Sequence, residues 1–289
     1  MSCVSGQTKT AGIEPVPSPE DVSRPPSVRP PAHNPLPNVY ASRAGETVYF
    51  IKCGKRSVLV DTGYVHNCEA HLSNFENAGL DLSSVDAILN THFHVDHAAG
   101  LARIRELLGC PVISHKNSVE VLATANRMAT ASEMPYIAGW NFPFPPCSVD
   151  VVVENGDDIV VGSTSFRVVH LPGHTPGCIG YLWDDMLVTG DVVFPPGRLP
   201  WNDVHWGSNY LDTIDTMQRL AELNPSHLLP THGLPFPYTP EVSDYTEQAA
   251  KEMLESGKAG PMGHTQRAPL ASVDRVPRRL TPRRLSAAD

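Results

Sequence analysis

A mixed α/β fold, with sheets facing each other and helices outside, is what this 289-residue sequence predicts. Two observations carry the prediction. Short β-branched and aromatic runs alternate with segments whose apolar residues recur at helical spacing, and a set of strands followed by helices occurs twice along the chain. In the first set, residues 47–52 and 57–61 read as the strands of a hairpin that turns at Cys53-Gly54-Lys55-Arg56. A helix over 67–78 and an apolar strand over 87–89 follow. The next helix, 97–108, places Leu101, Ile104, Leu107 and Leu108 on one face and stops at Gly109. Residues 111–114 read as a short strand and 116–128 as helix. In the second set, strands follow quickly at 150–153, 159–161, 165–170, 178–183 and 186–189. A helix over 210–223 then carries Leu211, Ile214, Met217, Leu220 and Leu223 at helical spacing, before a strand at 227–229 and a last amphipathic helix over 242–254.

The two ends differ from this middle. Residues 1–38 hold nine of the 28 prolines, balanced charge and no apolar periodicity, and read as an extended, largely disordered arm. Residues 267–289 hold six arginines and two aspartates and read as a solvated, flexible tail. With no net charge on the arm and +4 on the tail, the −9 of the whole chain leaves −13 on residues 39–266, the expected catalytic domain. An acidic core offers nothing to phosphate backbones or anionic lipid, and the apolar runs are strand-length, so neither nucleic acid nor a membrane is an expected partner. A small-molecule substrate is expected instead, with at most a second copy of the chain as a protein partner. The segment MSCVSGQTKT has no basic and apolar leader pattern, and the six scattered cysteines form no CxxC pair, so a cytoplasmic protein with reduced thiols is expected.

The chemistry is concentrated in Asn90-Thr91-His92-Phe93-His94-Val95-Asp96-His97, directly after a strand and opening a helix. A lone histidine is more often a core residue than a ligand, but four ligand-type side chains within six positions point to metal. Two imidazoles serve one ion, and a carboxylate with the remaining imidazole serves a second; neither set completes a four-coordinate shell. The missing ligands belong at other strand ends, and three candidates lie beside glycine after apolar strands: His174 in Leu171-Pro172-Gly173-His174-Thr175-Pro176-Gly177, Asp191 in Thr189-Gly190-Asp191, and His232 in Leu229-Pro230-Thr231-His232-Gly233.

Taken together with Leu59-Val60-Asp61-Thr62-Gly63, this ordered set resembles the metallo-β-lactamase-fold hydrolases, which include glyoxalase II and acyl-homoserine lactonases. The resemblance covers about residues 40–235. It implies an αββα sandwich of two mixed β-sheets flanked by helices, with a dinuclear metal site at one edge. It also implies that His92, His94 and His174 bind one divalent ion, that Asp96, His97 and His232 bind the other, that Asp191 bridges them, and that Asp61 supports the ligands. Zinc suits the imidazole-rich shell, and iron or manganese also fit a mixed His/Asp site. Two such ions would hold a metal-bound hydroxide as nucleophile and stabilise the oxyanion, so no Ser or Cys nucleophile is required. Asp96 is a catalytic candidate as well as a ligand.

Departures from subfamilies narrow the reaction. Asp191 stands where true metallo-β-lactamases generally lack the bridging carboxylate. The stretch Val192-Val193-Phe194-Pro195-Pro196-Gly197-Arg198 replaces the Gly-Cys-Gly-Arg of glyoxalase II and of the related iron persulfide dioxygenases. The expected activity is hydrolysis of a carboxylic ester, lactone or thioester with an apolar moiety. A mononuclear iron persulfide dioxygenase, a β-lactamase and a phosphodiester hydrolase are the alternatives. Aromatic residues in two loops, Tyr136, Trp140, Phe142 and Phe144 in one and Trp201 and Trp206 in the other, must cover something, and an apolar wall beside the metals is one reading. His205 and Tyr210, shortly after Asp191, are candidate acids or oxyanion donors. The remaining histidines, His33, His66, His71, His115, His170, His227 and His264, read as structural or surface residues.

Overall fold

The computed structural model describes residues 32–257 and the short strand at 279–280. Two seven-stranded sheets face each other. The first runs, in spatial order, through β1 (His33–Leu36), β2 (Val39–Arg43), β3 (Thr47–Cys53), β4 (Arg56–Val60), β5 (Val85–Leu89), β6 (Val112–His115) and β7 (Val151–Val153). The second contains β8 (Asp158–Val161), β9 (Thr164–His170), β10 (Ile179–Trp183), β11 (Met186–Gly190), β12 (His227–Pro230), β13 (Phe236–Pro237) and β14 (Arg279–Leu280), in the order β13-β12-β11-β10-β9-β8-β14. Helices α1 (Cys68–Asn77), α2 (Val95–Ala98), α3 (Leu101–Leu108) and α4 (Val119–Thr124) accompany the first sheet, and α5 (Tyr210–Leu223) and α6 (Pro240–Gly257) the second.

The central strand β3 is buried on both faces, which is why it reads Thr-Val-Tyr-Phe-Ile-Lys-Cys with only Lys52 exposed. One face of β3 sends Val48 and Phe50 towards Phe75, Leu101 and Ile104 of the helices. The other sends Tyr49 and Ile51 into a layer shared with Phe166, Val168, Tyr181 and Leu229 of the second sheet. A third apolar layer joins Val169, Leu187 and Leu228 to Met217 and Leu220 of α5. Three apolar layers between four layers of structure make the αββα sandwich.

One unit occurs twice. β3 pairs antiparallel with β4, and β4 parallel with β5 across α1; β10 pairs antiparallel with β11, and β11 parallel with β12 across α5. Parallel pairing through a helical crossover brings the carboxyl ends of β4, β5, β11 and β12 to one edge of the sandwich, where loop residues gather.

Four expectations change. Arg279–Leu280, read as part of the flexible tail, form β14 and pair parallel with β8. The helix expected over 97–108 is broken at Ala99 and Gly100, where Gly100 N donates to Gly63 O at 2.9 Å instead of within the helix; a Cβ on Gly100 would stand 2.6 Å from Cys68 Cβ and 2.9 Å from Thr62 O, so only glycine fits there. The helix expected over 116–128 is a 3-10 turn at Lys116–Ser118 followed by α4, and ends where Ala125 takes φ 50°. Residues 33–36, read as part of the proline-rich arm, pair with β2; as an edge strand, β1 tolerates the missing N–H of Pro35. The rest of the arm and of the tail, with Cys3, lies outside the described residues, as do residues 258–266 at the end of the expected domain. Cys53, Cys68, Cys110, Cys147 and Cys178 are free and buried. Among the described residues no helix is long and apolar enough to cross a membrane.

Candidate metal centre

Four loops at that edge bring seven ligand-type side chains together. His92, His94, Asp96 and His97 come from the segment after β5, His174 from the loop after β9, Asp191 from the end of β11 and His232 from the end of β12. They form two groups, His92/His94/His174 and Asp96/His97/Asp191/His232, each with ligand atoms within 4.8 Å of one another. His92 and His97 connect the groups, with ring centroids 4.2 Å apart. Asp191 faces both: its Oδ2 lies 3.3 Å from His232 Nε2, 3.4 Å from His97 Nε2 and 3.9 Å from His174 Nε2. Asp96 Oδ2 lies 3.0 Å from His232 Nε2 and 3.2 Å from His97 Nε2.

The residues fit divalent cations. Nε2 of His92 and His97 is buried with no hydrogen-bond partner, and His94 turns its Nδ1 to within 2.9 Å of His174 Nε2. An orphaned buried nitrogen is costly, and a lone pair aimed at a cation removes the cost. Electrostatics distinguish the two groups. Burial, followed by the neighbouring histidines, drives His92 and His94 well below the ordinary imidazole value, and burial lowers His174, so this group is neutral and its lone pairs are available. Burial opposes charge on His97 and His232 too, but the carboxylates of Asp96 and Asp191 outweigh it, raising His97 strongly and His232 to about 10. Burial likewise opposes the charges of Asp96 and Asp191, and His97 and His232 overcome it, holding both well below the carboxylate range. The second group thus demands positive charge, which protons supply when cations do not.

The loops also fix the tautomers. His174 Nδ1 donates to Trp201 O at 2.8 Å, leaving Nε2 for the site. Asp61, fully buried at φ 58°, accepts from Thr91 N at 2.7 Å, Thr91 Oγ1 at 2.7 Å, Asn90 Nδ2 at 3.2 Å and His97 Nδ1 at 3.2 Å. Since Thr91 Oγ1 donates to Asp61, it receives His92 Nδ1–H at 3.1 Å, which leaves the Nε2 lone pair of His92 free for a metal. Asp61 also lies in a group with His92 and His97, but its oxygens are taken by these four donors, so it orients ligands. Thr231 Oγ1 donates to Asp191 Oδ1 at 2.8 Å in the same manner. These threonines were missed in the sequence, where the signal was the dipeptide Thr-His at the end of both β5 and β12.

Gly173 makes the loop of His174 possible. It stands at φ 139°, and a Cβ there would meet Thr213 Oγ1 at 2.4 Å and the Thr213 backbone at 2.8 Å. Gly173→Ala should destabilise the chain by roughly 3 kcal/mol, a melting temperature lower by about 6–12 °C, because backbone rather than a flexible side chain must yield. Thermal unfolding followed by circular dichroism checks this; an unchanged midpoint would contradict it.

The aromatic loops behave differently from an open wall. Trp140, Phe142 and Phe144 are 7–8% exposed and belong to the cluster under the first sheet's helices; Trp140 Nε1 donates to Ala131 O at 2.7 Å, and Phe142 lies 5.2 Å from Tyr64. Trp206 packs on His94 at 4.6 Å and on His174 at 5.7 Å, with Trp201 behind it at 5.0 Å. Tyr136 is half exposed, donates its hydroxyl to Asp203 and stacks on His205 at 5.4 Å. His205 is bonded to Asp203 Oδ1 at 2.7 Å. Tyr210 is buried at the start of α5, its phenol pushed up by burial and by Asp203. The structure therefore groups Tyr136, His205 and Tyr210 around Asp203.

A family model described as the metallo-beta-lactamase superfamily matches residues 43–232. A probable metallo-hydrolase of Methanocaldococcus jannaschii is 29% identical over 189 residues, which is 64% of this chain and 86% of the relative. An acyl-coenzyme A thioesterase of Gallus gallus is 29% identical over 140 residues, 46% of this chain and 50% of the relative. Among solved structures, the native FEZ-1 metallo-beta-lactamase from Legionella gormanii superposes with a TM-score of 0.65 at 19% identity, covering 82% of this chain and 98% of that one. The structural likeness is one of fold.

Proposed function

The chain belongs to the metallo-β-lactamase superfamily and is a metallo-hydrolase, and from this premise we propose that it cleaves carboxylic esters, lactones or thioesters with two divalent cations, one in each side-chain group. The observation that carries the reading is the pair of adjoining groups in which the buried Nε2 atoms of His92 and His97 lack a hydrogen-bond partner and one carboxylate, Asp191, faces both groups. The similarity to a thioesterase supports the choice of an acyl substrate. His92, His94 and His174 would hold one ion, Asp96, His97 and His232 the other, with Asp191 shared between them. Bound there, divalent cations supply an acidified water and an electrophile for the scissile carbonyl.

The chain's own residues do the rest. Asp61, Thr91 and the Trp201 carbonyl keep the ring nitrogens in the tautomers that bind cations, so no reorganisation is needed when charge develops. Trp206 excludes water from the imidazole group, whereas Asp96 and His232, with side chains 19% and 34% exposed, open the site to substrate. With Asp96 Oδ2 turned towards Nε2 of His97 and His232, where a cation would sit, Oδ1 is the oxygen that would receive the proton released from the attacking water.

Removal of metal from the full-length protein with a chelator should abolish turnover of aryl esters and acyl thioesters. Zn²⁺, added back, should restore it at two ions per chain. Turnover that survives complete metal removal would refute the proposal, and a screen that also contains β-lactams and phosphodiesters would show which acyl class is preferred.

A further inference from the structure

The unit that occurs twice also braces the molecule twice, and each copy holds the ligand loop of the opposite sheet. Tyr49 on β3 is fully buried between the sheets, and its hydroxyl donates to Pro230 O at 2.6 Å. Two residues earlier, Thr47 N donates to Thr231 O at 2.6 Å. Tyr181 on β10 is equally buried; its hydroxyl donates to Asn90 O at 2.9 Å, and two residues earlier Ile179 N donates to Thr91 O at 3.0 Å. The accepting segments correspond, since Asn90-Thr91-His92 follows β5 and Pro230-Thr231-His232 closes β12, and each threonine bonds the aspartate after its unit's middle strand. Thr47 adds a third bond, from its hydroxyl to Gly233 O at 2.8 Å, so that both neighbours of His232 are held.

The need for such braces follows from the way the site is divided. Asp96 and His97 ride on the first sheet, and Asp191 and His232 on the second, so their spacing depends on how the sheets stack. The inter-sheet layer is apolar, and apolar contact is non-directional; it tolerates small slides that would disturb a coordination shell. A short hydrogen bond onto a backbone carbonyl is directional and resists them.

We propose that Tyr49 and Tyr181 are reciprocal positioning residues: Tyr49, with Thr47, sets His232 against Asp96, His97 and Asp191, whereas Tyr181 sets His92 against His94 and His174. Neither touches reacting atoms. The inference rests on the two-cation reading of the site.

Tyr49→Phe and Tyr181→Phe each remove one hydroxyl while keeping the ring in the core, and leave one buried carbonyl without its donor. The full-length metal-free protein is titrated with Co²⁺, counting bound ions after dialysis and using ligand-field bands to separate the imidazole group from the carboxylate-containing group. Tyr49→Phe should weaken the ion in the carboxylate group roughly 10- to 100-fold and leave the other near its wild-type affinity; Tyr181→Phe should do the reverse. Thr47→Val should follow Tyr49→Phe, and Thr47→Ser, which keeps the hydroxyl, should behave as wild type. Equal weakening of both ions by each variant, or no weakening, overturns the proposal, because a residue that only supports the fold lowers thermal stability without choosing a group. A wild-type chain that binds one ion overturns the two-cation reading instead. The brace then stands if that ion is weakened only by the variant of the tyrosine assigned to its group, the group being read from the ligand-field bands, and falls if both variants weaken it equally.

Discussion

Asp191→Asn should leave a folded protein that binds one ion or none and turns over substrate at least about 10²- to 10³-fold more slowly than wild type. The amide has the shape of the carboxylate and can still accept from Thr231 Oγ1 at the 2.8 Å contact, so the end of β11 keeps its place. What is lost is charge. Asp191 Oδ2 is within 3.3–3.9 Å of Nε2 of His232, His97 and His174, so it is the carboxylate through which both groups share a negative field. Without it, His97 and His232 have only Asp96 of the ligand carboxylates to balance a cation, and the imidazole group loses the carboxylate that lies 3.9 Å from His174 Nε2. Metal content by elemental analysis, with kcat and KM on an aryl ester, checks both halves of the expectation. Two bound ions with normal turnover would show that Asp191 is not shared.

How legible all this was depends on sequence distance. His92, His94, Asp96 and His97 are adjacent, so their spacing alone pointed to metal. His174, Asp191 and His232 could be joined to them only through the family resemblance, because nothing in a lone His-Gly or Gly-Asp pair says which strand ends meet. The strands and α5 could be read because β3 is apolar on both faces, β9 begins with alternating buried and exposed residues, and one stripe of the helix is apolar. The break between α2 and α3 could not, since it comes from a tertiary contact, the Gly100 N–H bonding to Gly63 O, packed so closely on Cys68 and Thr62 that only glycine fits. The aromatic loops show the limit of composition: Trp140, Phe142 and Phe144 had to be covered by something, and they join the buried cluster with Phe75, Leu101 and Ile104. Tyr49 and Tyr181 were invisible for another reason. They act on backbone carbonyls, and a carbonyl carries no sequence signature.

Asp61 shows the same principle at the ligands themselves, and its replacement should cost both stability and metal. Asp61→Ala removes the acceptor of four donors in a fully buried position, leaving Thr91 N, Thr91 Oγ1, Asn90 Nδ2 and His97 Nδ1 to find others. Breaking a buried charged network of this kind costs about 3–5 kcal/mol, and alanine at φ 58° adds roughly 1 kcal/mol, since aspartate tolerates the left-handed region better. Asp61→Asn separates the two effects. Asparagine keeps the backbone conformation and can accept from Thr91 N through its carbonyl, while its amide turns to Thr91 Oγ1 and presents N–H groups to His97 Nδ1. That nitrogen must then give up its proton, and the proton moves to Nε2, the atom needed for the cation. Asp61→Asn should therefore unfold within a few degrees of wild type yet bind the ion of the carboxylate group roughly 10- to 100-fold more weakly. Calorimetric metal titration beside thermal unfolding distinguishes this from general damage: parallel losses in both variants would assign Asp61 to the fold, and loss of affinity alone in Asp61→Asn assigns it to the histidine tautomer.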